Sequence, residues 1–279
     1  MTDQISAAAR PLPKPPRRYG AVNWVGLWTL YKREVGRFLK VWMQTLFAPV
    51  ITTLLFMTVF KLAFGDRGQL TGDFAGLDYN NFLAPGLVVM SMLQNAFQNT
   101  SSSLTIAKVQ GSQVDFLMPP LSPLELTLGF ILGAMTRGIM VGVIGALAIH
   151  LTGLADLNIV NLWPIIWFSL MATAFLAALG AVGGIWAEKF DHLAAITNFV
   201  IVPLTFLSGT FYDIKVLVSP FQEAAHFDPI FYLIDGFRSG FIGVSNSDPM
   251  IGMAASAAFT FLACLWVWWL FKIGYKLKA

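Results

Sequence analysis

From residue 43 onward the chain alternates long apolar runs with short polar interruptions. Six runs stand out, over 43–64, 83–105, 126–151, 162–187, 193–211 and 250–271. Each is close to or above the roughly 20 residues a helix needs to cross a hydrocarbon core, so the pattern predicts six transmembrane helices. A different period precedes them. Between 23 and 41, Trp24, Trp28, Tyr31, Val35, Phe38 and Trp42 recur every three or four positions, with Lys32, Arg33, Arg37 and Lys40 on the other side. Such a helix is expected to lie in the membrane interface rather than to cross the bilayer. Residues 1–22 are basic and proline-rich, without the apolar core of a cleavable signal peptide, and read as a disordered tail. The fold class that follows is an all-α integral membrane protein, with one transmembrane domain over 23–279.

The last interruption, 212–249, is itself apolar over 216–221 and 230–242, yet the second piece holds Asp235 and Arg238 and is too short to span. It is read as one or two short helices re-entering the outer leaflet, tolerable there only when packed on protein. Asp235 and Arg238 are three apart, so a hydrogen-bonded pair along one helix is expected.

Composition supports the membrane class and adds orientation. Of 279 residues 56% are hydrophobic and 12% charged, about half the charged share of a soluble domain, and mean hydropathy is +0.67. Thirteen of the 18 lysines and arginines fall before the first run, in 106–125, in 188–192 or after 271. Lys61, Arg67, Lys215 and Arg238 lie on the opposite side, and Arg137 lies within a run. The excess of positive charge places both termini and the 106–125 loop in the cytoplasm. A net charge of +3 gives no argument for nucleic acid. The single cysteine, Cys264, excludes an internal disulfide, and three scattered histidines give no metal site and no catalytic constellation.

The 106–125 loop carries Lys108, Gln110, Gln113 and Asp115 and then Pro119, Pro120 and Pro123. Proline fixes φ and removes an amide donor, so a short helix over Ser112, Gln113, Val114, Asp115, Phe116 and Leu117 must stop near Met118. Held by two spans and ending in an apolar Phe-Leu-Met triplet, it is either a tight connection or a contact surface. Within the second run, Gln94 and Gln98 share one helical face, and Asn95 and Asn99 share its neighbour. That stripe suits a translocation path or hydrogen bonding between helices; Arg137, midway through the third run, suits a bond to the same patch.

Several of these residues carry a family resemblance. Pro203, Ser208-Gly209-Thr210-Phe211, Asp228-Pro229, Tyr232, Asp235 and Arg238, with Thr136-Arg137-Gly138 after the proline loop, make the chain from about Trp24 to its end resemble ABC-2 type permeases. One departure is Asp213, where many relatives have proline. The resemblance implies the membrane subunit of an ABC exporter in a bacterial inner membrane, forming a homodimer and binding two copies of a separate P-loop ATPase. The ATP and magnesium would sit on that partner: no Gly-Lys pair occurs here, so no phosphate-cradling loop exists and no hydrolysis is expected of this chain. Residues 112–118 would couple to the ATPase, and the 23–41 helix would be the family's connecting helix. The path at the dimer axis would be lined by Gln94, Asn95 and Gln98 with Asn198, Phe199, Thr205 and Phe206, serving an amphipathic lipid- or glycan-like substrate or a drug. Asp228, Pro229, Tyr232, Asp235 and Arg238 would shape the re-entrant loop. The alternative class is a secondary transporter or channel not driven by ATP, which would call for carboxylates at midmembrane depth.

Overall fold

The computed structural model describes residues 20, 22–64, 70 and 74–277, and every regular element among them is helical. The tail expected over 1–22 lies outside the described residues except at 20 and 22, as does Arg67. Helix α1 is Trp24–Leu39, started by Asn23, whose side chain accepts the Gly26 N–H. After it come α2 (Met43–Phe64), α3 (Tyr79–Val109) and the single turn α4 (Val114–Leu117). Then follow α5 (Pro123–Thr152), α6 (Leu162–Trp186) and α7 (Phe190–Leu207). Two short helices, α8 (Phe221–Phe227) and α9 (Pro229–Ile242), fill the last loop before α10 (Pro249–Ile273).

The ends of these helices have local causes. Ser122 and Glu125 form a reciprocal capping box with Pro123 in the first turn of α5, and Gly153 closes the helix with φ +65°. Asp78, Asn161, Asp228 and Asp248 accept N–H groups at the starts of α3, α6, α9 and α10. Two helices widen into a π turn, α2 at its start over Met43–Phe47 and α7 at its middle over Thr197–Ile201.

Among the described residues five helices are long and apolar enough to cross a membrane: α2, α5, α6, α7 and α10. Helix α3 is the longest at 31 residues but is not among the five, because its second half is polar. It is also the most enclosed, packed chiefly against α5 and α6, so Asn95 and Asn99 meet protein rather than hydrocarbon. Glycines make that approach possible. A Cβ on Gly180 of α6 would come within 2.4 Å of the Phe97 carbonyl of α3. Helices α9 and α10 cover the rest of α6, and α1 lies along α5. By contrast α2 and α7 are peripheral, with only 22% and 17% of their most apolar stretches buried.

Candidate functional site

The loop between α3 and α5 is held as a rigid corner. Gly111, at φ +69°, turns the chain out of α3, and α4 is followed by Pro119 and Pro120. Phe116 is 2% exposed, edge-on to Phe130 of α5 with centroids 5.4 Å apart, and the Arg33 guanidinium of α1 stands 5.7 Å from its ring. The expected exposed triplet is therefore split. Successive residues on a helix point about 100° apart, so one of three must face the body. Phe116 anchors; Val114, Asp115, Leu117 and Met118 (79% exposed) are left outside, while Ser112 and Gln113 are partly covered. The start of α1 joins the same corner. Glu125 accepts the N–H groups of Asn23 and Ser122, and the Asn23 amide donates to the Pro120 carbonyl at 3.2 Å.

Helix α1 has two apolar faces, and sequence reasoning found one. Trp24 and Trp28 are exposed, as an interfacial face requires. The buried stripe is Leu27, Leu30, Glu34 and Phe38, with Glu34 fully covered. One Glu34 oxygen accepts the Ser103 hydroxyl of α3 at 2.8 Å, and the other accepts Arg37 at 3.4 Å. Arg37 donates onward to the Asn99 carbonyl at 2.6 Å, the Asn99 side chain at 3.0 Å and Ser102 at 3.2 Å. Arg37 thus faces α3 instead of water. The available signal was the spacing Leu27–Leu30–Glu34–Phe38, a regular helical stripe containing one carboxylate.

The polar stripe of α3 is used twice. Asn95 turns into its own bundle and accepts the Arg137 guanidinium at 2.8 Å, which is the bond expected for Arg137 and removes Asn95 from the surface. Gln98 is exposed and Gln94 half-buried. On α7, Asn198, Phe199 (81% exposed) and Phe206 face outward. Thr205 does not: fully buried, it donates to the Val202 carbonyl, and its own carbonyl accepts the Thr210 hydroxyl of the turn that follows. Of the expected path residues, Gln98, Asn198, Phe199 and Phe206 remain as an outer surface, with Gln94 at its edge.

At the other end, the turn after α7 gathers the residues that looked like a motif. Gly209 adopts φ +72°, and the Gly209 and Thr210 carbonyls accept the Arg238 guanidinium at 2.7 and 3.3 Å. Arg238 is 2% exposed and lies 3.8 Å from the Phe82 ring of α3. A Cβ at Gly86 would stand 2.7 Å from the Thr210 carbonyl, so only glycine admits this turn. Burial lowers Arg238 to about 10, so it stays charged at neutral pH. The expected Asp235–Arg238 pair does not form. Asp235 instead accepts Ser245, Asn246 and Ser247 donors at 2.7–3.0 Å. Three positions along a helix leave the two side chains about 60° apart around the axis, enough to serve different neighbours. Asp228 accepts the Ile230 N–H at 2.9 Å and bonds Ser208 at 2.7 Å, with Pro229 opening α9; Tyr232 donates to the His226 carbonyl at 3.0 Å. Burial pushes the Asp228 carboxyl above its usual range.

Residues 25–242 match the family described as ABC-2 type transporter. The chain is 33% identical over 258 residues to the inner membrane transport permease YadH of Escherichia coli (strain K12), covering 92% of this chain and 98% of that one. It is 29% identical over 226 residues to Nodulation protein J of Rhizobium leguminosarum bv. trifolii, covering 80% and 83%. Against Nodulation protein J of Neorhizobium galegae the identity is 26% over 238 residues, covering 85% and 87%.

Proposed function

The chain belongs to the ABC-2 type transporter family, and from that premise we propose that it is the permease subunit of an ATP-driven exporter. Two copies pair, and each docks one separate P-loop ATPase that holds the ATP and magnesium. The complex sits in a bacterial inner membrane with both termini, α1 and α4 in the cytoplasm, and α8 and α9 re-enter the outer leaflet. The load is an amphipathic lipid- or glycan-like molecule or a drug, moving along Gln98, Asn198, Phe199 and Phe206. Support for the path lies in the exposed Asn198, Phe199 and Phe206 of the little-buried α7, together with the exposed Gln98 amide of α3.

The observation that carries the coupling role is the corner at α4. Val114, Asp115, Leu117 and Met118 project from a turn that Phe116, Arg33 and the Asn23–Glu125 bond fasten to α1 and α5. Force applied there is passed to α1 and α5, and through the chain at Gly111 to α3. Coexpression with the ATPase tests it. Leu117→Asp and Met118→Asp should weaken co-purification by roughly 30-fold, the scale of an anchor residue worth about 2 kcal/mol. Insertion and melting temperature should stay those of the wild type, because both side chains are already exposed. Unchanged partner binding and unchanged substrate-stimulated hydrolysis in both variants would remove α4 from the coupling path.

A further inference from the structure

A groove of about 490 Å³ runs between α6, α7 and α10, with Phe97 of α3 as its floor. Its walls are apolar and aromatic, with Val200, Trp266 and Trp269 along them and Trp186 and Tyr275 at one end. Trp186 is the last residue of α6, and Tyr275 follows the end of α10. The aromatic end therefore lies where helices leave the membrane, the level at which tryptophan and tyrosine collect. The three flanking helices are apolar enough to span, so the groove opens toward acyl chains and not toward water.

Charge is concentrated at that same end. Lys276 lies 5.9 Å from the Trp186 ring centroid, donates to the Trp186 carbonyl at 3.4 Å and pairs with Glu188 at 2.7 Å. Lys108 reaches across from α3 to the carbonyls of Ile185 and Ala187. Lys276 thus holds the carboxylate while Lys108 holds backbone carbonyls, and Lys272 lies four residues before Lys276, in the last turn of α10. Burial, and after it the Lys276 charge, pushes Lys108 down to about 8.

We propose that this groove holds one acyl chain of an acidic, phosphate-headed lipid of the surrounding bilayer, with the phosphate between Lys108 and Lys276. A zwitterionic lipid would bring its own ammonium to the lysines, and a free phosphate would leave the aromatic walls empty. The proposal rests on the membrane reading of the flanking helices and needs neither the ATPase nor the exported substrate. Gly183 keeps the groove open. A Cβ there meets Ile196 at 3.5 Å and Phe97 at 3.7 Å, ordinary contact, whereas at Gly184 one would press to 2.9 Å on the Ser101 carbonyl. Side chains added at 183 therefore fill the groove without prising α6 from α3.

The full chain, purified in detergent, is titrated with phosphatidylglycerol and with phosphatidylcholine of identical chains, and adducts are counted by native mass spectrometry. The wild type should retain phosphatidylglycerol roughly tenfold better, the scale set by two lysines facing an anionic headgroup. Lys108→Gln with Lys276→Gln should erase the preference while keeping chain binding. Gly183→Leu should lower retention of both lipids, and Gly183→Ala, which adds only a methyl, should lower it partially in a chain with wild-type melting. Equal retention of the two lipids by the wild type overturns the proposal. So does unchanged binding in both Gly183 variants, displacement of the lipid by inorganic phosphate alone, or a Gly183→Leu defect confined to self-association, which would make the groove a contact between copies.

Discussion

Arg238 is the side chain on which the outer end depends. It fixes the Gly209 and Thr210 carbonyls and lies on Phe82, so α3, the turn after α7 and α9 meet in one guanidinium. Arg238→Ala would orphan two buried carbonyls and leave a void, at a cost of about 2–4 kcal/mol. Arg238→Lys keeps the charge but loses the fork, and should fall between alanine and wild type in a thermal melt. Asp235 is separable from it. Asp235→Ala should loosen 245–247 and the start of α10 while leaving the Arg238 bonds intact, a difference that hydrogen exchange at 209–211 would register. Asp228 gives the pH dependence. Its carboxyl is raised by burial, so between the unfolded value of 3.8 and the folded one the native chain holds more protons than the unfolded chain. Its contribution to stability therefore falls as pH rises through that window. Asp228→Asn should lack this slope and stay near wild-type stability at neutral pH. Asp228→Ala, which also loses the cap on α9, should cost about 1 kcal/mol.

Helices and their ends were the readable part of this chain, because a long apolar run bounded by proline, glycine, Asp or Ser has few other outcomes. The 43–64 run is α2 to the residue, and the others agree within a few positions. What could not be read was direction around each helix. A carboxylate on an amphipathic helix is assigned by default to the wet side; Glu34 is buried only because Ser103 and Arg37 supply its donors from α3 and from one turn along. Asn95, Thr205 and Phe116 point inward because their partners lie on the next element, which a helical period does not place: Arg137 on α5, Thr210 in the turn after α7, and Phe130 on α5. The Glu34–Arg37 pair offers a test at this scale. Arg37→Met leaves a buried carboxylate with Ser103 as its remaining donor and should cost about 3 kcal/mol. Adding Glu34→Gln should recover much of that loss, the coupling being read from a double-mutant cycle of melting temperatures.

At the scale of the whole molecule, the apolar surface left over says where other bodies belong. Phe199 on α7 and Val143 on α5 are both exposed and both apolar, so burial alone does not separate a lipid-facing side from a subunit-facing one. Sequence reasoning about the path stopped at the same point, because lipid and a second subunit both call for apolar side chains. Under the dimeric reading, cysteine at Phe199 or Gln98 in a Cys264→Ala background should form a disulfide-linked pair on mild oxidation, and cysteine at Val143 should not. Linking at 143 without linking at 199 or 98 would put the shared axis on the other side of the molecule.

Gly129 and Gly133 on α5 leave hollows into which Leu30 and Glu34 of α1 fit so closely that an added Cβ would stand 2.5 and 2.6 Å from them. The first helix is thus a tenon in a mortise, pinned by a carboxylate that would meet hydrocarbon if the joint opened. A helix seated this way cannot float on the lipid surface and return. It belongs to the stator, with α3, α5 and α6. Any large displacement then falls to the two helices that own few contacts, α2 and α7, the first with a π turn at its start and the second with one at its middle, where each can bend.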